Sequence, residues 1–267
     1  HQHLMVNYVS QGQLVLGDFA AAADTALAMM DRAGIHKSLI MPPPMAADYE
    51  PQYDYPDLIE AAQSSPDRFA VVGGGGSLMP LIHAAALAGT VTAGTESEFR
   101  AKAEEIARAG VAAFGEMAAL HLSFRETHPY IAVPPDHPLF LLLADVAARE
   151  GLPIDLHMEA VVEDMPLPAG LDSPNNPSTL EADIEAFERL LAHNPQARIV
   201  WAHVGWDNTG DMTVELLRRL LESHPNLYMS IKMQDPRARV DEHIPLDATG
   251  VIRSEWLELI SDFPDRF

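Results

Sequence analysis

The feature that most constrains this chain is a repeated alternation. A helical segment with apolar residues on one face is followed by a short, unbroken apolar run, roughly every 35 residues. "FAAAADTALAMMDRAG" reads as a helix stopped by Gly34, and "IHKSLIMP" follows as a strand closed by prolines. "YPDLIEAAQSSPDRF" leads into "AVVGGGG", and "TESEFRAKAEEIARAG" into "VAAFGE". The pattern continues with "PLFLLLADVAAREG" then "LPIDLHME", "STLEADIEAFERLLAHNP" then "ARIVWAHVG", and "TVELLRRLLESHP" then "NLYMSIKM", before the closing helix "RSEWLELISDFPDRF". Thr95 with Glu98, and Ser178 with Glu181, stand at capping-box spacing and predict two helix starts. Unbroken apolar strands separated by helices imply a parallel sheet covered by helices.

Counting "HQHLM" as the end of a first strand gives seven strands, close to the eight of a TIM-type (β/α)8 barrel. "SSPDRF" at 64–69 hands a helix over to a strand, and the final "FPDRF" has the same form. The expectation is therefore an α/β barrel forming one domain over 1–267, clipped within strand one and just before strand eight. A doubly wound open sheet is the alternative, although no glycine-rich phosphate fingerprint follows the first strand. "GGGG" at 73–76 lacks the Lys and Ser/Thr of a phosphate loop and reads as a flexible loop at a barrel rim.

Composition narrows the function. Seventeen Lys and Arg against 39 Asp and Glu give a net charge of −22, which repels a phosphate backbone and argues against nucleic acid as a partner. Charges or prolines interrupt every apolar run short of a membrane span, so no membrane partner is expected. With no cysteine, any metal must be held by nitrogen and oxygen. A small-molecule substrate and a possible homodimer are the expected partners. The chain reads as soluble, cytoplasmic or exported after loss of a leader.

In a parallel barrel the carboxyl ends of the strands converge on one mouth, so ionisable residues there carry weight. Strand one ends with His1 and His3, which an extended backbone points to one side. Strand four ends with Glu116, strand five with His157 and strand six with His203. Buried imidazoles and carboxylates cost several kcal/mol each unless partnered, so their convergence predicts a shared cation. Zinc is the first choice, with Mn, Fe or Ni also compatible with a sulfur-free ligand set.

The H-x-H opening, "PIDLHME" and "WAHVGW" resemble the amidohydrolase superfamily, and "AHVGW" and "PDRF" its amidohydrolase-related branch of metal-dependent hydrolases, lactonases and decarboxylases. "FGEM" resembles the TatD-like branch, whose strand-four Glu bridges two metals. The resemblance implies one or two divalent ions: His1 and His3 on one, His157 and His203 on the other, Glu116 between them, and an Asp on a strand eight beyond Phe267. It also implies a metal-dependent hydrolase for a small carbonyl, ester or amide substrate. A mononuclear decarboxylase or lactonase, with His203 freed as a catalytic base, is the alternative, and an inactive metal- or ligand-binding barrel is the non-enzymatic one.

After strand four, "ALHLSFRETHPYIAVPPDHP" reads as a substrate loop in which His121 and Arg125 orient an anionic group. Trp206 and Lys232, at the ends of strands six and seven, stand evenly between structural and functional roles. Asp262 falls on a helix by its spacing from Trp256, Leu259 and Ile260. His36, His83, His193, His224 and His243 read as solvated or capping.

Overall fold

Short apolar runs rich in branched residues become strands, and the alanine- and leucine-rich amphipathic segments between them become helices. The computed structural model describes residues 1–4, 7–10, 13–16, 18–49, 52–233 and 243–267, the segments 7–10 and 13–16 by backbone alone; Met5, at the end of the opening run, lies outside them. A hairpin of β1 (Asn7–Ser10) and β2 (Gln13–Leu16) precedes α1 (Phe19–Ala33) and β3 (Ser38–Ile40). The chain continues through α2 (Tyr55–Ala62), β4 (Phe69–Gly74), α3 (Leu78–Ala88), α4 (Ala93–Arg108), β5 (Ala113–His121), β6 (Ile131–Ala132) and α5 (Pro138–Glu150). Then come β7 (Ile154–Met158), β8 (Met165–Pro166), β9 (Thr179–Leu180), α6 (Ile184–His193), β10 (Ile199–Val204), α7 (Val214–Ser223), β11 (Leu227–Ile231) and α8 (Ser254–Asp262).

The main sheet runs β3–β4–β5–β7–β10–β11, every neighbour parallel and in chain order. Gln2 extends it beyond β3: its N–H donates to Leu39 O at 2.9 Å, and Met41 N–H donates to Gln2 O at 3.1 Å. Seven strand positions thus follow one another without the reversal of order that marks a doubly wound sheet. The sheet is also strongly curled. His1 and His203 stand on strands five neighbours apart, about 24 Å in a flat sheet, yet their ring centroids lie 4.7 Å apart. Only a sheet rolled toward a barrel brings them together. Helices α3 to α8 contribute to one large apolar core around Phe114, Phe187, Trp201 and Trp256, and α1 and α2 to a smaller one around Met30, Ile40, Leu58 and Phe69.

Local structure corrects three sequence expectations. Helix α4 starts at Ala93, because Thr92 Oγ1 accepts from Thr95 N–H at 3.1 Å and so takes the capping role expected of Thr95. Helix α6 starts at Ile184 rather than beside Ser178, since Thr179 and Leu180 pair with β8 and Ala182 N–H is held by Asp164. The four glycines are a packing device rather than a loose rim. A Cβ on Gly76 would lie 1.8 Å from Tyr53 O, and one on Gly75 would lie 2.9 Å from three backbone carbonyl oxygens. The chains approach too closely there for any side chain.

Asp54 fastens this crossing. Its buried carboxylate accepts from Gly74 N–H at 2.8 Å and Tyr55 N–H at 2.7 Å, and also from the Ser77 hydroxyl. Asp54→Ala leaves those donors unpaired and is expected to cost roughly 2–4 kcal/mol, read from denaturant unfolding, with Asp54→Asn costing less.

Asp183, at the head of α6, is buried and accepts from Val161 N–H at 2.9 Å; burial pushes its pKa up to about 8. An unfolded Asp titrates near 4, so this group's contribution to stability is full below that pH and is lost as pH rises toward 8. Asp183→Asn should therefore leave stability near pH 4 almost unchanged and raise it at pH 9 by on the order of a few kcal/mol. Equal effects at both pH values would rule this out.

Candidate metal centre

Glu116 is the hub of the site. It is 1% exposed and stands in β5, where the pairing with β7 breaks register between Phe114 and Met117. Such an irregularity re-aims a side chain that a regular pleat would direct elsewhere. A second irregularity, between Trp201 and Val204 on β10, contains His203, whose φ is 64°. This left-handed backbone costs a non-glycine residue roughly 1 kcal/mol or more.

Four imidazoles surround the two carboxylate oxygens. His3 Nε2 lies 2.9 Å and His1 Nε2 3.8 Å from Oε2; His157 Nδ1 lies 2.9 Å and His203 Nε2 3.2 Å from Oε1. Each oxygen thus faces one imidazole pair. His3 Nδ1 is 3.0 Å from Met41 O and carries a ring proton, because a carbonyl only accepts, and its Nε2 is the atom on the Glu116 side. Burial alone would raise the Glu116 pKa, but hydrogen bonds from His157, His203 and His3 hold it well below the usual carboxylate range. Burial lowers His157, yet its bond to Glu116 raises it overall; for His203 burial prevails and the pKa falls. Of these two, His157 holds a proton more readily.

The residues fit a divalent cation. Imidazole nitrogen and carboxylate oxygen bound side by side on one ion stand about 3.0–3.4 Å apart; the His3, His157 and His203 separations fall in or near that range, and that of His1 lies beyond it. Donor atoms of His1, Glu116 and His203 all lie within 4.8 Å of one another. Two neighbouring acids, Asp155 and Glu159, each keep one buried oxygen without a hydrogen-bond partner, so the site holds polar atoms that the described residues leave unsatisfied.

The centre forms the floor of a cleft of about 300 Å³. His121 stands on its wall with Nδ1 3.0 Å from Pro129 O, which turns Nε2 away as an acceptor, and burial drives its pKa to about 3. Arg125 and His128 share that wall. Across from them Lys232 places Nζ 3.1 Å from the centroid of Trp206, which stacks on Phe124 at 5.5 Å. Strand β5 runs on past Glu116 to His121 and returns as β6, so the segment read as a loop begins as strand. Its tip is pinned by Ser123, whose hydroxyl contacts Ser173 Oγ at 2.6 Å, and by Asn176 Oδ1, which accepts Ser123 N–H at 2.8 Å.

Every donor expected from the strand ends therefore reaches one place: His1, His3, Glu116, His157 and His203. His121, Arg125, Trp206 and Lys232 line the same cleft. Asp262 lies apart, at the end of α8, where Arg218 donates to it at 2.6 Å. His193 and His224 pair with Asp145 and Glu188, away from the cleft. Strand-end reasoning missed Asp155, Glu159 and His128. The first two were visible as D-x-H-x-E around His157, a period of two that puts all three on one strand face.

No family model and no curated protein matches the chain. Among solved structures it is similar to a dihydroorotase from Campylobacter jejuni, at 13% identity and a TM-score of 0.40, over 84% of this chain and 56% of that one. It is also similar to a 5-carboxyvanillate decarboxylase from Novosphingobium aromaticivorans, crystallised with manganese, at 20% identity and a TM-score of 0.39, over 82% and 56% of the chains. A third likeness is to a 2,6-dihydroxybenzoate decarboxylase from Rhizobium, at 13% identity and a TM-score of 0.38, over 89% and 88%. The chain spans a little over half the length of the first two. At these TM-scores neither fold nor chemistry rests on the likenesses; both rest on the geometry above.

The backbone at His203 yields a comparison. His203→Asn loses a hydrogen bond to Glu116 worth about 1 kcal/mol, but Asn tolerates the left-handed region, so the two effects nearly cancel. His157→Asn on regular strand has no strain to release. The expected change in unfolding free energy is under about 1 kcal/mol at position 203 and roughly 2 kcal/mol or more at position 157, measured on metal-free protein.

Proposed function

We propose that this chain is a metal-dependent hydrolase acting on a small carbonyl, ester or amide substrate. The observation that carries the reading is the single buried carboxylate of Glu116 with an imidazole pair at each oxygen. His1 and His3 would hold a cation at Oε2, and His157 and His203 one at Oε1. Bound there, a divalent cation supplies Lewis acidity toward a carbonyl oxygen and a water.

The chain's own groups do the remaining work. His121 Nε2 accepts a hydrogen bond from a substrate hydroxyl or amide, its tautomer fixed by Pro129 O. Arg125 and Lys232 attract an anionic group, and burial lowers the Lys232 pKa while Glu116 and Glu159 oppose that shift. Trp206, Phe124, Met45 and the Pro43–Pro44 segment wall off bulk water, strengthening each electrostatic contact inside.

A one-ion decarboxylase or lactonase is the second reading, favoured by the His1 and Glu116 donors, which lie within 4.8 Å of each other and of His203. His203, on its strained backbone, then serves as base beside that ion.

Metal analysis of purified protein separates the two, with zinc and manganese measured together. Two equivalents per chain with ester or amide hydrolysis support the first reading, and one equivalent with decarboxylation or lactone opening supports the second. No bound metal overturns both. Glu116→Gln removes the charge both imidazole pairs share; affinity for zinc is expected to fall at least 100-fold, read by chelator competition.

A further inference from the structure

Asp155, His157 and Glu159 follow one another with period two along β7 and its continuation, so their side chains share the inner face of the sheet. All three are buried. Asp155 Oδ2 lies 3.5 Å from His1 Nδ1, on the opposite edge of the ring from the nitrogen that faces Glu116. Glu159 Oε1 lies 3.9 Å from His157 Nε2, again opposite the nitrogen that meets Glu116. Each acid therefore stands behind a different imidazole, and Glu116 in front of both.

The surroundings hold these acids in place. Asn208 Nδ2 donates to Glu159 Oε1 at 2.8 Å. Gly115 makes room for Asp155: a Cβ there would lie 2.9 Å from the Asp155 Cβ. Both carboxylates nevertheless keep one oxygen with no hydrogen-bond partner, at a burial where such an atom is costly. Folding alone gives no return for two such oxygens.

We propose that Asp155 and Glu159 are positioning residues that orient the imidazoles of His1 and His157 and fix which ring nitrogen of each is left free to bind a metal ion. The separations exceed a hydrogen bond, so the control is electrostatic. A ring lone pair turned toward a buried carboxylate is repelled, and an N–H turned toward it is attracted. In the metal-free site the nearer Glu116 draws the His157 N–H; with a cation held at Glu116, the ring proton would move to the nitrogen behind, leaving Nε2 of His1 and Nδ1 of His157 to bind. Residues that orient metal-binding imidazoles in this way typically change affinity by 10- to 100-fold when removed. The proposal rests on the metal-dependent reading of the site.

The test uses the full chain, stripped of metal and titrated with Zn²⁺ against a chromophoric chelator, and with Co²⁺ for its visible absorption. Asp155→Leu and Glu159→Leu are each expected to weaken Zn²⁺ binding 10- to 100-fold and to alter the Co²⁺ spectrum, with the thermal midpoint of the metal-free protein unchanged or higher. Asp155→Asn and Glu159→Gln keep a carbonyl oxygen that accepts the same N–H, and should restore affinity to within a few-fold of the parent chain. Unchanged affinity and spectrum in the leucine variants, with the parent binding Zn²⁺ tightly, overturn this proposal alone. Loss of thermal stability in all four variants, in step with affinity, overturns it by assigning the acids to folding. A parent chain that binds neither ion overturns the metal-dependent reading and this proposal with it.

Discussion

The contact on which the site depends is the one between the Glu116 carboxylate and the imidazoles around it. A carboxylate this deeply buried is tolerated only if the energy lost on leaving water is recovered from nearby donors. Here the donors come from the N-terminal strand, β7 and β10, so satisfying one charge requires four strand positions to converge. The curl of the sheet and the chemistry of the centre are one requirement seen twice. A flatter sheet would strand the charge, and a neutral residue at position 116 would remove the strongest polar tie across the mouth.

Regular strands cannot deliver this convergence unaided. Pairing slips beside Glu116 and beside His203, and again between Ala118 and Leu120 on β5. At His203 the backbone adopts a left-handed conformation, while His157 takes its place from within strand β7. Beneath this irregular rim the strands are held by a well-packed core and by the Asp54 and glycine crossing next to β4. Strain is concentrated where the donors are, as expected when a rigid scaffold positions groups that gain nothing from one another locally.

Much of this was legible in the sequence. The alternation of amphipathic and unbroken apolar segments foretold each of the strands β3, β4, β5, β7, β10 and β11, and weighting strand ends selected the five residues that meet. Asp54 was not visible, because its partners Gly74 and Ser77 lie about 20 residues on and are identified only once α2 crosses β4. The helix starts at Thr92 and Asp183 were missed for a related reason: capping-box spacing is a local signal, and pairing of β8 with β9 overrode it at Ser178. The stacked Phe124 and Trp206 come from separate loops, and no spacing rule connects them.

The same geometry implies a link between loading and folding. Glu116, Asp155 and Glu159 place three carboxylates within a small buried volume, and two of their oxygens have no partner. The imidazoles offset part of this cost, but each proton they take up to do so occupies a nitrogen that a cation would otherwise use. A protein that spends folding free energy in this way is more stable with a cation than without one, by an amount that grows with the logarithm of cation concentration over its dissociation constant. Two unpartnered carboxylate oxygens beside converging imidazoles are the arrangement that a bound cation would complete.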